Sequence, residues 1–127
     1  KVVQTSHMDF IRLMGESDIV VTPLASGRTR AAGQQTYLNA MRLGKISIVN
    51  GKDVLGVTDY IQDHINGIIT DGTPQGLSEA IEWVYDPRNL DAVKKISQNA
   101  QESVKEFSYE RHIRTMASII DELVTDA

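Results

Sequence analysis

The sequence predicts an α/β fold: a Rossmann-like parallel sheet with helices on both faces. Three observations carry this. Short, continuous, β-branched runs recur at Asp18-Ile-Val-Val-Thr-Pro23, Ile46-Ser-Ile-Val49 and Ile68-Ile-Thr70, the pattern of strands covered on both sides. Segments with helical spacing separate them. The second half is nearly all helical, with no internal repeat and no low-complexity stretch. Counting a very short apolar start at Val2-Val3, four strands stand against three long closing helices. That is few strands for a doubly wound domain. The expectation is therefore one domain over residues 1–127, cut from a larger protein and lacking its first strands.

Each element has its own signal. Ser6-His-Met-Asp9 reads as a capping box with aspartate in place of glutamate; Ser-His-Met is also a common cloning scar, but the cap fits a native helix. Phe10, Ile11, Leu13 and Met14 follow at helical spacing, and Gly15 is expected to end the run. Leu24 to Gly33 holds no bulky apolar residue after Leu24 and reads as a loop. Tyr37, Leu38, Met41 and Leu43 form a helical stripe that Gly44 closes. Asn50-Gly51 and Asn66-Gly67 are turns, with a short helix expected from Val57 to Ile61. Thr73-Pro74 places an N-cap and an N1 proline in order, ahead of Leu77, Ala80, Ile81 and Val84 on one helical face. Asp86-Pro87 repeats that signal before the stripe Leu90, Val93, Ile96, Ala100 and Val104. Ser108 is the expected cap of a last helix whose Ile113, Met116, Ile120 and Leu123 face inward.

Composition sets bounds. With 127 residues, 41% hydrophobic and 24% charged, and a net charge of -4, the chain is expected to fold. No apolar run approaches the ~18 residues of a membrane span. The start has no signal-peptide core. There are no cysteines, which removes disulfides, thiolate metal sites and a cysteine nucleophile. Slight acidity argues against a broad nucleic-acid surface. A soluble cytoplasmic chain is the default. His7, His64 and His112 lack metal-ligand spacing and read as surface or capping residues. Asp59 reads as a carboxylate matched to a helix dipole. Trp83 and Tyr85 read as core or domain-contact packing. Lys94, Lys95, Lys105, Arg111 and Arg114 read as solvated faces.

One segment points to chemistry. The loop Leu24-Ala-Ser-Gly-Arg-Thr-Arg-Ala-Ala-Gly33 follows a strand and leads into a helix. In open α/β sheets, ligands bind beyond the carboxyl ends of strands. Ser26, Gly27, Ala32 and Gly33 are small enough for backbone N–H groups to approach a ligand. Arg28 and Arg30 add positive charge. Gly33, Gln34, Gln35 and Thr36 would form the first helical turn, whose free N–H groups favour an anion. A phosphate or diphosphate fits; a solvated loop with two ordinary arginines fits the same residues.

Three stretches, Ser17-Asp-Ile-Val-Val-Thr-Pro-Leu24, Gly33-Gln-Gln-Thr-Tyr-Leu-Asn-Ala-Met-Arg-Leu-Gly-Lys45 and Ile46-Ser-Ile-Val49, carry a resemblance. They resemble the nucleotide-sugar-binding, C-terminal half of a GT-B glycosyltransferase of the retaining family 4 type, also called glycosyl transferases group 1. Gly56-Val-Thr-Asp-Tyr-Ile61, His64-Ile-Asn-Gly-Ile-Ile-Thr70, Asp86-Pro87 and Phe107-Ser-Tyr109 continue it in order, so that it runs from about Asp9 to Leu123.

The resemblance implies a nucleotide diphosphate sugar as donor, transferred to an acceptor hydroxyl in glycan or polysaccharide synthesis, with no metal or cofactor. It implies an N-terminal acceptor domain that this chain lacks, so that the chain alone would bind donor weakly and catalyse nothing. Gly56 and Val57 would line the donor cleft. Acceptors in the family are often lipid-linked, which leaves room for a peripheral position at the inner membrane face, although no strong basic amphipathic helix is visible.

The chain departs from the family at two glutamates separated by seven residues. The second falls at Asn39, which would offer the ribose a neutral hydrogen bond in place of a charged one. The first falls near Ala31, which cannot serve the reacting centre. The family's diphosphate-binding arginine and lysine come from an earlier region, and the resemblance does not assign that role to Arg28 or Arg30. The alternatives are a nucleotide-sugar epimerase of the same architecture, whose acid and base groups are scarce here, and a non-catalytic α/β nucleotide- or anion-binding module. A receiver-type acidic cluster is not seen.

Overall fold

The computed structural model of the chain describes residues 4–25, 32–51 and 54–125. In chain order the elements are α1 (His7–Glu16), β1 (Ile19–Thr22), α2 (Gln34–Arg42), β2 (Ile46–Asn50), β3 (Ile68–Thr70), α3 (Pro74–Tyr85), α4 (Leu90–Ser103) and α5 (Tyr109–Thr125). Short 3-10 turns precede α4 and α5, at Pro87–Asn89 and Val104–Phe107. The described strands form one parallel sheet in the order β1-β2-β3. Register runs from Ile19 opposite Ile46 to Thr22 opposite Val49, and from Ile48 opposite Ile68 to Asn50 opposite Thr70. A parallel ladder needs a crossover between its strands, and α2 supplies the one between β1 and β2.

Alternation along the strands sends side chains to two covered faces. Val20 packs with Met14 of α1 and Ala40 of α2, and Val49 packs with Tyr37 and Met41 of α2. Ile46, Ile48 and Ile68 pack with Ala80 of α3 and Ile96 of α4. This double burial is why the strands read as unbroken β-branched runs. α4 joins both layers, with Ile96 in one cluster and Ala100 in the other. The α/β class, the parallel sheet and the helices on both faces are those the sequence predicts.

Most local signals act as read. Ser6 caps α1, its Oγ accepting from the Asp9 N–H at 3.2 Å and donating to the Asp9 carboxylate at 2.7 Å. Thr73 caps α3 through the Gly76 N–H at 3.0 Å, with Pro74 at N1. Ser108 Oγ accepts from the Arg111 N–H at 3.2 Å at the start of α5. Gly44, at φ 69°, turns the chain out of α2.

Four expectations are corrected. Gly15 does not end α1, which runs on to Glu16 and stops at Ser17, whose N–H and Oγ bond to Met14 O and Leu13 O. Val57 to Ile61 is a single turn, not a helix. Val57 O accepts from the Tyr60 and Ile61 N–H groups at 3.1 and 2.9 Å. The Asn66 side chain then takes the Tyr60 C=O and the Gln62 N–H, the groups a helix would have used. Leu90 is 53% exposed because it opens α4 instead of packing in its stripe. The apolar stripe of α5 does not face inward: Ile113, Met116, Ile120 and Leu123 are 49%, 47%, 55% and 68% exposed, and no residue of α5 is buried. The helix runs off the end of the α2–α4 layer, where the described chain has nothing to set against it. Val2 and Val3 lie outside the described residues, so the described sheet has three strands where four are expected.

Candidate functional site

In a parallel sheet all carboxyl ends open on one edge. Here that edge gathers the exits of β1, β2 and β3 and the start of α3 around a cavity of about 440 Å³, and the start of α2 lies beside it against Thr22 and Leu24. Thr22, Pro23, Leu24, Asn50, Thr70 and Gly72 are among its lining residues.

Two helix N-termini open at this edge, and they differ. The start of α3 is filled by its own chain. Thr73 Oγ1 caps it, and Asp71 Oδ1 accepts from the Thr73 N–H and hydroxyl at 2.9 and 2.8 Å. The start of α2 has Gly33 as its N-cap, which offers no capping side chain, and its first turn carries no acidic residue. The Tyr37 N–H closes the first helical bond to Gly33 O at 3.1 Å. The N–H groups of Gln34, Gln35 and Thr36 precede that bond, so they are the orphan donors of this helix. Their partial positive charge is unopposed by any local carboxylate in the turn.

Glycine is required at position 33. Its φ is +73°, and a Cβ there would lie 2.8 Å from both Leu24 Cδ2 and Thr22 Cγ2. The helix start thus rests directly on the end of β1. Thr22 is buried, and its Oγ1 has no hydrogen-bond partner among the described residues. The Leu24 backbone is held in turn by Asn50, whose Oδ1 accepts from the Leu24 N–H at 2.5 Å and whose Nδ2 donates to the Leu24 C=O.

The residues singled out from sequence fall into three groups. Ser26, Gly27, Arg28 and Arg30 lie outside the described residues, as does Ala31. Ala32, Gly33, Gln34 and Thr36 stand partly exposed at the helix start. Gln35 and Asn39 point the other way from Tyr37, Ala40 and Met41. With Arg42 they line a second opening, a groove of about 890 Å³ between α2, the end of α4 and the start of α5. Groove and cavity share no lining residue. Sequence reasoning missed Asn50 and Arg42. The signal for Asn50 was available: Pro23 has no N–H, so the residue after it leaves the ladder needing other partners.

The titrating groups with shifted pKa values do other work. Burial, followed by the charges of Tyr60 and Asp59, pushes the Tyr37 phenol up to about 12, so it stays neutral. Arg88 holds the Asp86 carboxyl down to about 2, at the corner between α3 and α4. A hydrogen bond to Asp18 at 3.2 Å raises Tyr85 and ties α3 to the foot of β1. Trp83 packs in the α3–α4 cluster with the His64 ring edge-on at 4.8 Å. His64 itself sits 2.9 Å from Asp63. Among the described residues, no three or more His, Asp or Glu side chains stand together to hold a metal ion, and no helix is long and apolar enough to cross a membrane.

No protein-family model matches the chain, and no curated protein matches it in sequence. Among solved structures, a glycosyltransferase from Rickettsia africae ESF-5 superposes with a TM-score of 0.76 at 22% identity. The match covers 94% of this chain and 31% of that one, so the chain spans about a third of the protein it resembles. The α/β fold, a parallel sheet flanked by helices, is therefore shared with the matched part of that glycosyltransferase.

Proposed function

We propose that the chain is the donor-binding, C-terminal part of a GT-B glycosyltransferase of family 4 type, and that its parent transfers a sugar from a nucleotide diphosphate sugar to an acceptor hydroxyl. The observation that carries this is the uncapped start of α2. Orphan N–H groups open at the carboxyl edge of the sheet, next to a segment that holds Arg28 and Arg30 in sequence. The likeness to a glycosyltransferase structure supports it.

In this reading the chain's task is to hold the leaving group. The bond from the anomeric carbon to the diphosphate oxygen breaks, a bond to the acceptor oxygen forms, and the proton of the acceptor hydroxyl passes to the departing diphosphate. Negative charge grows on the departing diphosphate, and fixed N–H dipoles at Gln34, Gln35 and Thr36 stabilise it without reorganising. Arg28 and Arg30, which precede this turn in sequence, are the cations this reading assigns to the diphosphate. Asn39 offers its amide to the ribose. The acceptor belongs to the remaining part of the parent, and the uncovered stripe of α5 and the outer edge of β1 are surfaces on which such a part could pack. A cytoplasmic protein, stationed at the inner membrane face when its acceptor is lipid-linked, goes with this reading.

A second reading, a non-catalytic nucleotide- or anion-binding module, is favoured by Ala31 and Asn39, which stand where the family resemblance would place two glutamates. A titration followed by NMR tests the shared site. Uridine or guanosine diphosphate is expected to shift the amides of Gly27 to Thr36 and of Asn39. Unmoved spectra at millimolar nucleotide would end both readings. Sugar transfer by the full-length parent then separates the enzyme from the binding module.

A further inference from the structure

We propose that Asn50 is the positioning residue of the strand-end site: its carboxamide fixes the Leu24 backbone and, through Leu24, the left-handed Gly33 that opens α2. Its functional consequence rests on the donor-site reading above.

Strand pairing stops at Pro23. The β1–β2 ladder ends with Thr22 opposite Val49, and proline has no N–H with which to extend it. Leu24 then turns an N–H and a C=O toward the end of β2. Asn50 satisfies both at once, Oδ1 accepting and Nδ2 donating. A carboxamide carries an acceptor and a donor side by side, as a peptide group does, and asparagine and glutamine are the side chains that own one. Asn50 therefore continues the sheet by one artificial rung.

The rung is braced from behind. A Cβ at Gly72 would come within 3.3 Å of Asn50 Cβ and Nδ2, so the chain leaving β3 lies against the asparagine. The neighbouring Gly51 N–H donates to Thr70 O at 3.3 Å. On the far side, the Leu24 side chain lies flush against Gly33. Contact thus runs unbroken from the exit of β3, through Asn50 and Leu24, to the residue that aims the first turn of α2. Losing the carboxamide frees the backbone of Leu24 and lets that turn drift. Ligand geometry of this kind needs placement within ~0.5 Å.

Two variants of this chain test it, Asn50→Ala and Asn50→Asp, with uridine diphosphate as the probe. In Asn50→Ala the Leu24 amide is expected to exchange hydrogen at least ~10-fold faster while the Ile48 and Ile96 amides keep their rates, and nucleotide binding is expected to weaken about 10-fold. Asn50→Asp keeps the acceptor and loses the donor at neutral pH. A protonated carboxyl regains a donor, so its affinity relative to the native chain is expected to recover as pH falls through the carboxylate range, where Asn50→Ala shows no recovery. The Leu24 exchange rate of Asn50→Asp is read at the same pH values, with the Ile96 amide as the gauge of stability, so that re-formation of the clamp is distinguished from relief of charge repulsion or of a general loss of stability. Unchanged Leu24 exchange in Asn50→Ala, or a pH-independent deficit in Asn50→Asp, overturns the positioning role. Should the native chain bind no nucleotide, the donor-site reading fails by itself, and the Leu24 exchange rates of both variants, compared with the native chain at low and neutral pH, still decide whether the clamp exists. If Asn50→Ala does not fold, Asn50→Asp at low and neutral pH carries the test alone.

Discussion

Replacing Gly33 with alanine probes the junction of β1 and α2. Two costs add. An L-residue at φ +73° sits in the left-handed region, at about 1–2 kcal/mol. The new methyl would also stand 2.8 Å from Thr22 Cγ2 and Leu24 Cδ2. Leu24 can swing its terminal methyl aside. Thr22 is β-branched and buried, and its rotamer is stiff, so relief there must come from the backbone. Overpacking of this kind costs about 1–3 kcal/mol. The expected loss is therefore about 2–5 kcal/mol. Gly15→Ala serves as the internal control. Gly15 lies inside α1 with nothing within 4 Å of an added Cβ, and alanine should raise stability there by about 0.5–1 kcal/mol. Urea unfolding of both variants against the native chain gives the comparison at equal slope. If Gly33→Ala unfolds within ~0.5 kcal/mol of native, the junction of β1 and α2 is not built as described and the aim of the helix start is not fixed by it.

Three other outcomes are expected. Ile120→Ala should cost under ~1 kcal/mol in the same urea assay, because Ile120 is half exposed on α5, whereas Ile96→Ala, buried between α4 and the sheet, should cost about 2–5 kcal/mol; equal losses would mean that α5 is covered within this chain. Tyr37→Phe should leave stability unchanged or raise it by up to ~1 kcal/mol, since the buried hydroxyl has no partner among the described residues; a large loss in thermal unfolding would reveal a bond to that oxygen. The Asp86 carboxyl falls from 3.8 unfolded to about 2 folded, so its contribution is complete above pH 3.8 and lost as pH drops through 2; Asp86→Asn should flatten that part of the acid limb in a urea-midpoint-versus-pH series, and an unaltered limb would deny the Arg88 pairing.

Why some of this was legible in the sequence and some not follows from the range of the forces. β1, β2 and β3 announce themselves because burial on both faces demands β-branched residues in a row. Ser6, Thr73 and Ser108 announce helix starts because a cap bonds within three residues. The turn at Val57 to Ile61 was misread because Asn66, further along the chain, takes the backbone groups a helix needs, and propensity cannot register that competition. The stripe of α5 was correctly seen as amphipathic, but a stripe states only that one face favours cover, never where the cover lies. Asn39 was placed on the right helix, yet its outward direction, shared with Gln35 and Arg42, emerged only from which face of α2 holds Tyr37 and Met41. Asn50 was read as half of a turn because its partner is 26 residues away.

The contrast between the two helix starts at the sheet edge is what makes the anion assignment more than a generality about helix dipoles. Every helix offers positive N–H groups at its start, so the dipole by itself selects nothing. Selection comes from the residues just before the helix. Ahead of α3 stands Asp71-Gly72-Thr73, a carboxylate and a hydroxyl already bonded to local donors. A phosphate approaching there meets a like charge, which at about 4 Å costs ~1 kcal/mol in water and ~4 kcal/mol at the effective dielectric of a protein surface. Ahead of α2 stands Ala32-Gly33, which offers no capping side chain among the described residues, and the left-handed glycine keeps the helix start against β1. The sheet delivers both helices to the same edge, and among the described residues a carboxylate and a capping hydroxyl stand at the start of α3 and neither stands at the start of α2. The two guanidinium groups of the chain between β1 and α2 are carried on the segment that leads to that same start.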